Sequence, residues 1–308
     1  DGGTDTGRSS AIDPAVQTIP KHTKWAARLR ECFPAPPGYR FFQADFSQGE
    51  LRIAACQAEE ASMIEAYKTG KDLHCLTGAG LGGYEYDEFI ALLPSKHEDL
   101  WTEAEKMAAK IYKDFRQKAK AGNFGLLYGM QAAGFQAYAK VNYGVTMTIE
   151  EAEAVRDAFF ARYPGLVAWH NQQINAAHMQ GYVVNPLGRV AHLPLIKSNI
   201  WEVKGKAERK SINSPVQSTL SDLCMWSISF LEEMYAQEGL WIAGMTHDSI
   251  YGYYPEDDDR DMWMRRITDV MQNLPYEKDF DWHPPLWFPA DIEEGTTFAD
   301  LKEYKIAS

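Results

Sequence analysis

The amino-acid sequence predicts an α+β fold, in which a small antiparallel sheet is built from early and late segments and a large, mostly helical insertion lies between them. Two observations support this prediction. Runs rich in β-formers occur near both ends of the chain, whereas apolar residues in the middle recur at helical spacing. The 308 residues suffice for one large domain or two ordinary ones with hydrophobic cores.

The first predicted elements are a strand and a helix that meet near residue 45. Residues 39–46 are aromatic and alternate enough for a strand, and the apolar spacing that follows predicts a helix up to Gly70. Residues 102–129 predict one long helix, and residues 148–181 predict further helix. The middle of the chain is therefore expected to be helical.

The later elements return to β structure. Residues 182–194 contain Pro-Leu-Gly and predict a hairpin-like turn, and a helix follows from about residue 205. Two β-rich runs then surround Thr-His-Asp-Ser, which predicts a hairpin with Asp248 at its tip. A last helix near residues 258–274 and a strand in the run Leu-Trp-Phe-Pro-Ala-Asp-Ile complete the prediction.

Composition and charge exclude two classes of protein. The 45% apolar and 24% charged fractions match average globular usage, and no stretch approaches the roughly 18 apolar residues that span a bilayer. We therefore expect no membrane-spanning segment. The net charge of −12 argues against a basic coat for indiscriminate nucleic-acid binding, but it leaves room for a local basic groove.

The cysteines and the first residues indicate the compartment. No Cys-x-x-Cys spacing is present, so we interpret the four cysteines as reduced packing residues rather than a disulfide framework or a zinc site. The chain opens without a basic region followed by an apolar core, so we expect no secretory signal and a cytoplasmic protein. Because it also opens without methionine, we expect a fragment of something longer.

Two carboxylates lie where the predicted sheet exposes side chains, Asp45 at a strand end and Asp248 at a hairpin tip. Aspartate is common at such positions because its side chain bonds to turn backbone, so turn chemistry alone explains either residue. Their interpretation as one functional site needs a further observation.

A stripe on the predicted long helix supplies that observation. Arg116, Lys120, Phe124 and Tyr128 recur every four residues, so they lie within about 120° of the helix surface and extend over roughly 18 Å. Two cations followed by two rings suit a nucleoside triphosphate, with charge for the phosphates and aromatic faces for sugar and base. The alternative is a solvated basic turn followed by an ordinary core stripe.

Three glycines in the same helix, Gly122, Gly125 and Gly129, weaken that alternative. Each costs about 1 kcal/mol relative to alanine inside a helix. We therefore expect something to approach the backbone of this helix closely.

Three motifs occur in order along the chain: DFSQGELR at 45–52, RQKAKAGNFGLLYG at 116–129 and THDS at 246–249. Together they resemble motifs A, B and C of the A-family DNA polymerases, the bacterial DNA polymerase I group. The likeness is collinear and covers nearly the whole chain, including KDLHCLTG at 71–78 and ERKSINSPVQST at 208–219.

The resemblance implies a right-hand polymerase fold, with a palm at residues 1–52 and 198–308 and fingers at residues 53–197. The thumb and any proofreading exonuclease would precede residue 1 or belong to a separate partner chain. The implied reaction is template-directed transfer of a deoxynucleotide from a dNTP to a primer 3′-hydroxyl, with release of pyrophosphate. Primer-template DNA and dNTPs are the implied partners.

The resemblance also implies a metal site and a catalytic cation. Two Mg²⁺ ions, for which Mn²⁺ can substitute, would be held by Asp45, Asp248 and the backbone carbonyl of Phe46, since hard cations prefer oxygen ligands. Lys120 would stabilise charge on the leaving pyrophosphate and donate a proton to it.

Nucleotide binding is implied for residues of all three regions. Arg116 and His74 would bind the outer phosphates, and Phe124 would lie near the sugar. Glu50, packed against Tyr128, would be a steric gate against a ribose 2′-hydroxyl, although its position also suits a carboxylate at a helix start. The implied set is His74, Arg116, Lys120, Phe124, Tyr128, Glu50 and Gln48.

A second implied set contacts primer or template near the nascent base pair, in the minor groove, where acceptor positions are nearly independent of sequence. This set consists of Arg8, Arg209, Asn213, Gln217 and His247.

The chain departs from the family pattern at several positions. Ser249 replaces the usual glutamate of motif C, and Met245 replaces a glutamine that usually precedes it. Gly122 stands where an apolar residue is common. The extra segment Gly78–Lys110 is longer than the bacterial enzymes need and is similar to inserts in phage-type polymerases, so a viral source and a host cytoplasm would be expected.

Two other functions stay open on the residues alone. The altered motif C would suit a non-catalytic, nucleic-acid-binding polymerase remnant, and the two carboxylates would also suit a metal-dependent nuclease. Four residues argue against an inactive remnant, because neutral sequence drift would not be expected to preserve all of them. They are Asp45, Asp248, Arg116 and Lys120.

Overall fold

The protein is described by a computed structural model that covers residues 7, 8, 17, 19, 25–246, 248–256 and 259–306. Its helices are α1 Ala26–Arg30, α2 Gly49–Gln57, α3 Ala61–Lys68, α4 Leu73–Gly82, α5 Tyr86–Ala91, α6 Glu103–Gly125, α7 Ala132–Tyr143, α8 Ile149–Arg162, α9 Pro164–Gln180, α10 Trp201–Tyr235, α11 Arg260–Gln272 and α12 Tyr276–Phe280. Short 3₁₀ turns cover Glu98–Leu100, Leu126–Tyr128 and Ala236–Glu238.

The strands form one five-stranded antiparallel sheet and one separate hairpin. The strands are β1 Tyr39–Phe46, β2 Tyr182–Val184, β3 Val190–His192, β4 Trp241–Thr246, β5 Ser249–Pro255, β6 Ala290–Gly295 and β7 Lys302–Glu303. The sheet has the order β4-β5-β1-β6-β7, and β2 pairs with β3 alone. Early and late segments therefore build the sheet around a helical middle, which confirms the predicted α+β class.

Strand β1 lies at the centre of the sheet, between β5 and β6, and its side chains alternate between the two faces of the sheet. Phe42, Ala44 and Phe46 are buried in the main core, whereas Gln43 and Asp45 are only partly buried on the other face. Helices α10 and α11 pack against this core face, and α2 packs against α10. The sheet thus holds Asp45 on the face opposite the helices.

The predicted helix up to Gly70 is two helices, which corrects the sequence prediction. Glu59 adopts a left-handed conformation with φ 47° and ends the first. Glu60, 3% exposed, then accepts hydrogen bonds from the backbone N–H of Ser62 (3.1 Å) and of Gly165 (2.7 Å). This buried carboxylate caps α3 and ties it to the start of α9.

The structure tests the expectations for the cysteines and for membrane-spanning helices. Cys56, Cys75 and Cys224 are buried thiols, as predicted for packing residues, but Cys32 is exposed and the packing interpretation is wrong for it. Of the helices given above, none is long and apolar enough to cross a membrane.

Candidate active site

The predicted carboxylate pair meets at one end of the sheet. Asp45 lies directly opposite Ser249 of β5, and the pairing of Thr246 with Ser249 leaves a two-residue tip that contains Asp248. Directly paired residues share a face with their Cβ atoms about 4.5–5.5 Å apart. Asp45 and the hairpin tip are therefore neighbours although about 200 residues separate them in sequence.

A buried thiol beneath the pair responds to both carboxylates. The Cys224 thiol of α10 donates to the backbone carbonyl of Asp248 at 3.4 Å. Burial raises the pKa of this thiol well above its usual range, and the charges of Asp248 and Asp45 raise it further. Both carboxylates are thus close enough to act on the same sulfur atom.

These residues fit the divalent ions that the resemblance implies. Among the described residues, no group of three or more histidine, cysteine, aspartate or glutamate side chains could hold a metal ion. Mg²⁺ at phosphoryl-transfer sites, however, is commonly bound by one or two carboxylates together with substrate phosphates. The side chain of Phe46 lies in the core at 1% exposure, so only its backbone could contribute.

The position of the missing motif C glutamate is occupied by a polar pair. Ser249 accepts a hydrogen bond from the Gln43 amide at 3.2 Å, and both residues lie on the face that carries Asp45. On the other side of Asp45, Asp291 of β6 is directly opposite and exposed. Local sequence pattern does not show which strands pair, so the sequence could not predict that Asp291 lies opposite Asp45.

Three predicted site residues from distant segments meet at Glu50. Its carboxylate accepts a hydrogen bond from the Tyr128 hydroxyl and forms an ion pair with Arg8. Burial and the Glu50 charge raise the pKa of Tyr128 well above its usual range, whereas Arg8 and a hydrogen bond with Gln217 act in the opposite direction. The structure thus brings together the predicted gate and two predicted DNA contacts.

Tyr128 lies just beyond the C-terminal end of α6, on a turn that contacts α9. The α-helical part of α6 ends at Gly125, and Tyr128 lies on the 3₁₀ turn that follows, so the predicted stripe is α-helical only up to Phe124. His170 of α9 bonds through Nε2 to the backbone carbonyl of Leu127 at 2.8 Å. This contact satisfies a carbonyl that the helix end leaves without an intrahelical partner.

Gln48 is predicted to contact the nucleotide and has an unusual backbone. Its φ of 51° places it in the left-handed region, which non-glycine residues adopt at an energetic cost. Its exposed side chain accepts a hydrogen bond from the Tyr67 hydroxyl at 3.0 Å. This strain at the junction of β1 and α2 was not predicted, since nothing in the residue type demands it.

The predicted phosphate-binding residues lie on α4 and α6, which pack against each other. Asn123 bonds to Nδ1 of the buried His74 ring at 2.9 Å, and the ring centroids of His74 and Phe124 are 5.7 Å apart. Burial lowers the pKa of His74 to about 4; Asp72 opposes this, and Arg116 and Lys120 add to it. A neutral His74 that accepts from Asn123 carries its proton on Nε2.

Arg116 is held by two side chains that the sequence did not predict as its partners. Its guanidinium forms an ion pair with Asp72 at 2.7 Å and donates through Nε to the sulfur of Cys75 at 3.2 Å. Asp72 precedes α4 and could have been recognised as a helix cap, but its second bond needs the tertiary structure. Lys120, one turn further, makes neither a hydrogen bond nor an ion pair within the described part of the chain.

The predicted DNA contacts divide between two places. Arg209, Asn213 and Gln217 lie on α10, where Arg209 is exposed. The Oδ1 atom of Asn213 is buried and has no hydrogen-bond partner among the described residues, so it can accept a bond from a ligand. Arg8 lies at Glu50, and the predicted contact His247 falls outside the described residues.

The three glycines of the long helix have three different explanations. A Cβ on Gly125 would lie 2.9 Å from the ring of Tyr138, which is the close approach that was predicted. Gly129 has φ 73° and caps the helix. At Gly122 a Cβ would meet only ordinary contacts at 3.7 Å or more, so the expectation is wrong there.

Known proteins of one family resemble this chain over most of its length. The chain matches DNA polymerase family A over residues 1–93 and 85–285. It is 34% identical over 235 residues to DNA polymerase I of Pseudomonas aeruginosa, which covers 76% of this chain and 23% of that protein. It is 30% identical over 292 residues to the thermostable DNA polymerase I of Thermus filiformis, covering 95% of this chain and 30% of that protein. The chain thus spans less than a third of these relatives.

A solved structure shares the fold. It is the POL domain of Pol1 from M. smegmatis in complex with DNA primer-template and dNTP, with a TM-score of 0.77 and 24% identity. The match covers 97% of this chain and 47% of that one. Because the family match extends over most of the residues and includes the segments that build the carboxylate pair, the chain belongs to DNA polymerase family A.

Proposed function

We propose that this chain is a DNA-directed DNA polymerase that transfers a deoxynucleotide from a dNTP to a primer 3′-hydroxyl and releases pyrophosphate. The observation that carries the proposal is the pairing of Asp45 with the strand that begins beside Asp248. The helix with Arg116, Lys120 and Phe124 supports it, because this stripe supplies the phosphate and sugar contacts that such a reaction needs. The palm is assigned to residues 1–52 and 198–308, and the fingers to residues 53–197.

In this proposal, two Mg²⁺ ions, or Mn²⁺ in their place, would be held by Asp45, Asp248 and the backbone carbonyl of Phe46. When bound, the ions would make the primer hydroxyl a better nucleophile and stabilise charge on the leaving oxygens. The protein's own part is to hold Asp45 on a strand and Asp248 on the adjacent hairpin tip, at one end of a sheet whose other face packs against α10 and α11. A position on a strand or on a short turn between paired strands keeps its geometry better than one on a long loop.

The triphosphate is bound by cationic and neutral donors of the fingers. Arg116 offers its guanidinium and His74 its Nε2–H to the outer phosphates, and a His74 pKa of about 4 keeps that donor uncharged at neutral pH. Lys120 stabilises the charge that develops on pyrophosphate and donates a proton to it. Phe124, Tyr128 and Gln48 surround the sugar and base, with Glu50 as the gate.

Primer-template DNA is the proposed macromolecular partner. The M. smegmatis relative was solved with such a duplex and a dNTP, which supports the same pair of ligands here. Arg8, Arg209, Asn213, Gln217 and His247 are the proposed contacts to DNA. A thumb and any exonuclease would be supplied by a preceding region or a partner chain, and we place the enzyme in the cytoplasm.

Primer extension with Mg²⁺ and one labelled dNTP tests the function. We expect Asp45→Asn and Asp248→Asn each to lose more than about a thousandfold in rate, since metal-assisted stabilisation of the transition state exceeds about 4 kcal/mol. Asp291→Asn is the matched control, because this exposed carboxylate faces Asp45 from β6. It should stay within about tenfold of the wild type.

Each rival function gives a different result in the same assay. A polymerase remnant would bind the duplex without extending the primer, and a nuclease would shorten it. Extension within tenfold of wild type by either Asp45→Asn or Asp248→Asn would show that the carboxylate pair is not the reacting centre. A loss of activity in Asp291→Asn as large as in Asp45→Asn would show that the reacting centre has been assigned to the wrong carboxylates.

A further inference from the structure

The extra segment Gly78–Lys110 has no part in the proposed reaction, yet it is folded against the phosphate-binding helices. It supplies the end of α4, all of α5, and the start of α6. Helix α5 contacts α4, and α4 in turn packs along α6. The segment therefore lies behind the two helices that carry His74 and Arg116.

The first connection runs from α5 to the beginning of α4. The hydroxyl of Tyr86 accepts a hydrogen bond from the backbone N–H of Asp72 at 3.0 Å. The ammonium group of Lys71 lies 4.9 Å from the centre of the Tyr86 ring, within the range of a cation–π contact. Tyr86 thus holds the backbone immediately before the helix that bears His74.

The second connection is a small hydrophobic core between α4, α5 and α6. Phe89 is completely buried with Cys75 and Ala79, and its ring lies 5.0 Å from that of Tyr112. A Cβ on Gly78 would lie 3.0 Å from the Phe89 ring, so α4 and α5 approach as closely as glycine allows. The Tyr112 hydroxyl reaches the sulfur of Cys75 at 3.1 Å.

Both connections end at the groups that hold Arg116. Asp72 accepts the N–H of Cys75 through Oδ1 (2.9 Å) and the Arg116 guanidinium through Oδ2 (2.7 Å). Cys75 accepts the Nε–H of Arg116 at 3.2 Å. These bonds use two of the five guanidinium N–H groups, which leaves donors for a further ligand.

We propose that α5 is a brace that fixes Arg116 for the triphosphate of the incoming nucleotide, with Tyr86 and Phe89 as positioning residues. This inference rests on the proposed function. A long arginine side chain loses rotamer freedom when it binds, and a side chain already held by Asp72 and Cys75 has less to lose. The extra segment therefore serves affinity for the triphosphate.

The test is Tyr86→Phe, which removes only the hydroxyl that accepts from Asp72. Tyr84→Phe is the matched control, because Tyr84 lies two residues away and its hydroxyl has no hydrogen bond among the described residues. Equilibrium binding of a fluorescent dNTP to the protein–primer-template complex should weaken about three- to tenfold in Tyr86→Phe, the effect of one lost hydrogen bond. KM should rise by the same factor with kcat nearly unchanged, and dNMP binding should not change.

Combining Tyr86→Phe with Arg116→Lys distinguishes positioning of Arg116 from a merely structural role of Tyr86. Arg116→Lys keeps the positive charge but loses the planar, forked guanidinium group. Positioning through Arg116 requires Tyr86→Phe to have no further effect on dNTP affinity in that background. Equal effects in both backgrounds, equal effects of the two tyrosine variants, or an unchanged affinity in a well-folded Tyr86→Phe would overturn the brace. Phe89→Leu, checked by thermal unfolding, provides a second variant with the same expectation. A wild-type chain that neither extends primers nor binds dNTP would instead refute the function itself.

Discussion

Replacing Glu50 with alanine should admit ribonucleotides. The carboxylate lies between Tyr128 and Arg8, and its side chain is 17% exposed. Truncation to alanine removes the bulk that we assign to exclusion of a 2′-hydroxyl and touches none of the three proposed metal ligands. Glu50→Gln keeps almost the same volume and an acceptor for Tyr128, but it loses the charge that faces Arg8.

The size of the effect follows from these contacts. A hydrogen bond to a charged group contributes about 1.5–3 kcal/mol, and Glu50→Ala leaves the nearly buried Tyr128 hydroxyl without it. The partly exposed Arg8 pair adds no more than about 1 kcal/mol. We therefore expect a loss of about 2–4 kcal/mol in local stability, together with at least a tenfold, or about 1.4 kcal/mol, drop in sugar discrimination.

The assay is the ratio of kcat/KM for dCTP to that for CTP in wild type, Glu50→Ala and Glu50→Gln. If the volume of the Glu50 side chain excludes the ribose, the dCTP-to-CTP ratio should fall in Glu50→Ala and stay close to the wild-type value in Glu50→Gln. Thermal unfolding of all three proteins separates selectivity from loss of fold. An unchanged ratio in Glu50→Ala would reduce Glu50 to a helix-start carboxylate, and an equal drop in both variants would show that charge, not volume, excludes the ribose.

Three further predictions concern the packing of two glycines in α6, the proposed contact of Phe124 with the sugar, and the buried imidazole of His170. Gly122→Ala should raise the free energy of unfolding by up to about 1 kcal/mol, whereas Gly125→Ala should lower it, because Tyr138 leaves no room for a Cβ; urea titration measures both. Phe124→Tyr should abolish discrimination against dideoxynucleotides, since a hydroxyl there replaces a missing 3′-hydroxyl, and competition of ddTTP with dTTP tests this. The pKa of His170 is lowered by burial to about 4, so the unfolded chain binds more protons between pH 6.5 and 4. Stability should fall as the pH is lowered through that window, and His170→Gln should flatten the fall in urea titrations at pH 6.5 and 4.5.

The parts of the fold that local pattern specifies were predictable. Alternation gave β1 at its observed bounds, and two β-rich runs around a polar tip gave the hairpin that carries Asp248. Helical spacing gave α6, with an error only at its last turn. These elements follow from neighbouring residues, which is why sequence spacing suffices for them.

What sequence could not provide depends on partners that are distant along the chain. In the sequence, Glu60 looks like one more residue of a single helix that runs up to Gly70. In the structure, its carboxylate is buried and accepts hydrogen bonds at the starts of α3 and α9, so a new helix begins there. The role of Asp72 cannot be predicted from local sequence, because its ion pair with Arg116 joins two segments that only the tertiary fold brings together. The resemblance to a family implies most of the proposed site residues, yet it could not show that α5 packs against the helix that carries His74.

The central position of β1 has a consequence for biosynthesis. Asp45 comes from the early part of the described chain, whereas both strands that flank it, β5 and β6, come from its last part. Such non-local pairing is slow because a long loop must close before any contact forms. The carboxylate pair therefore assembles only after β5 and β6 have been synthesised, and a nascent chain stalled on the ribosome before β5 carries Asp45 without the hairpin that brings Asp248 beside it.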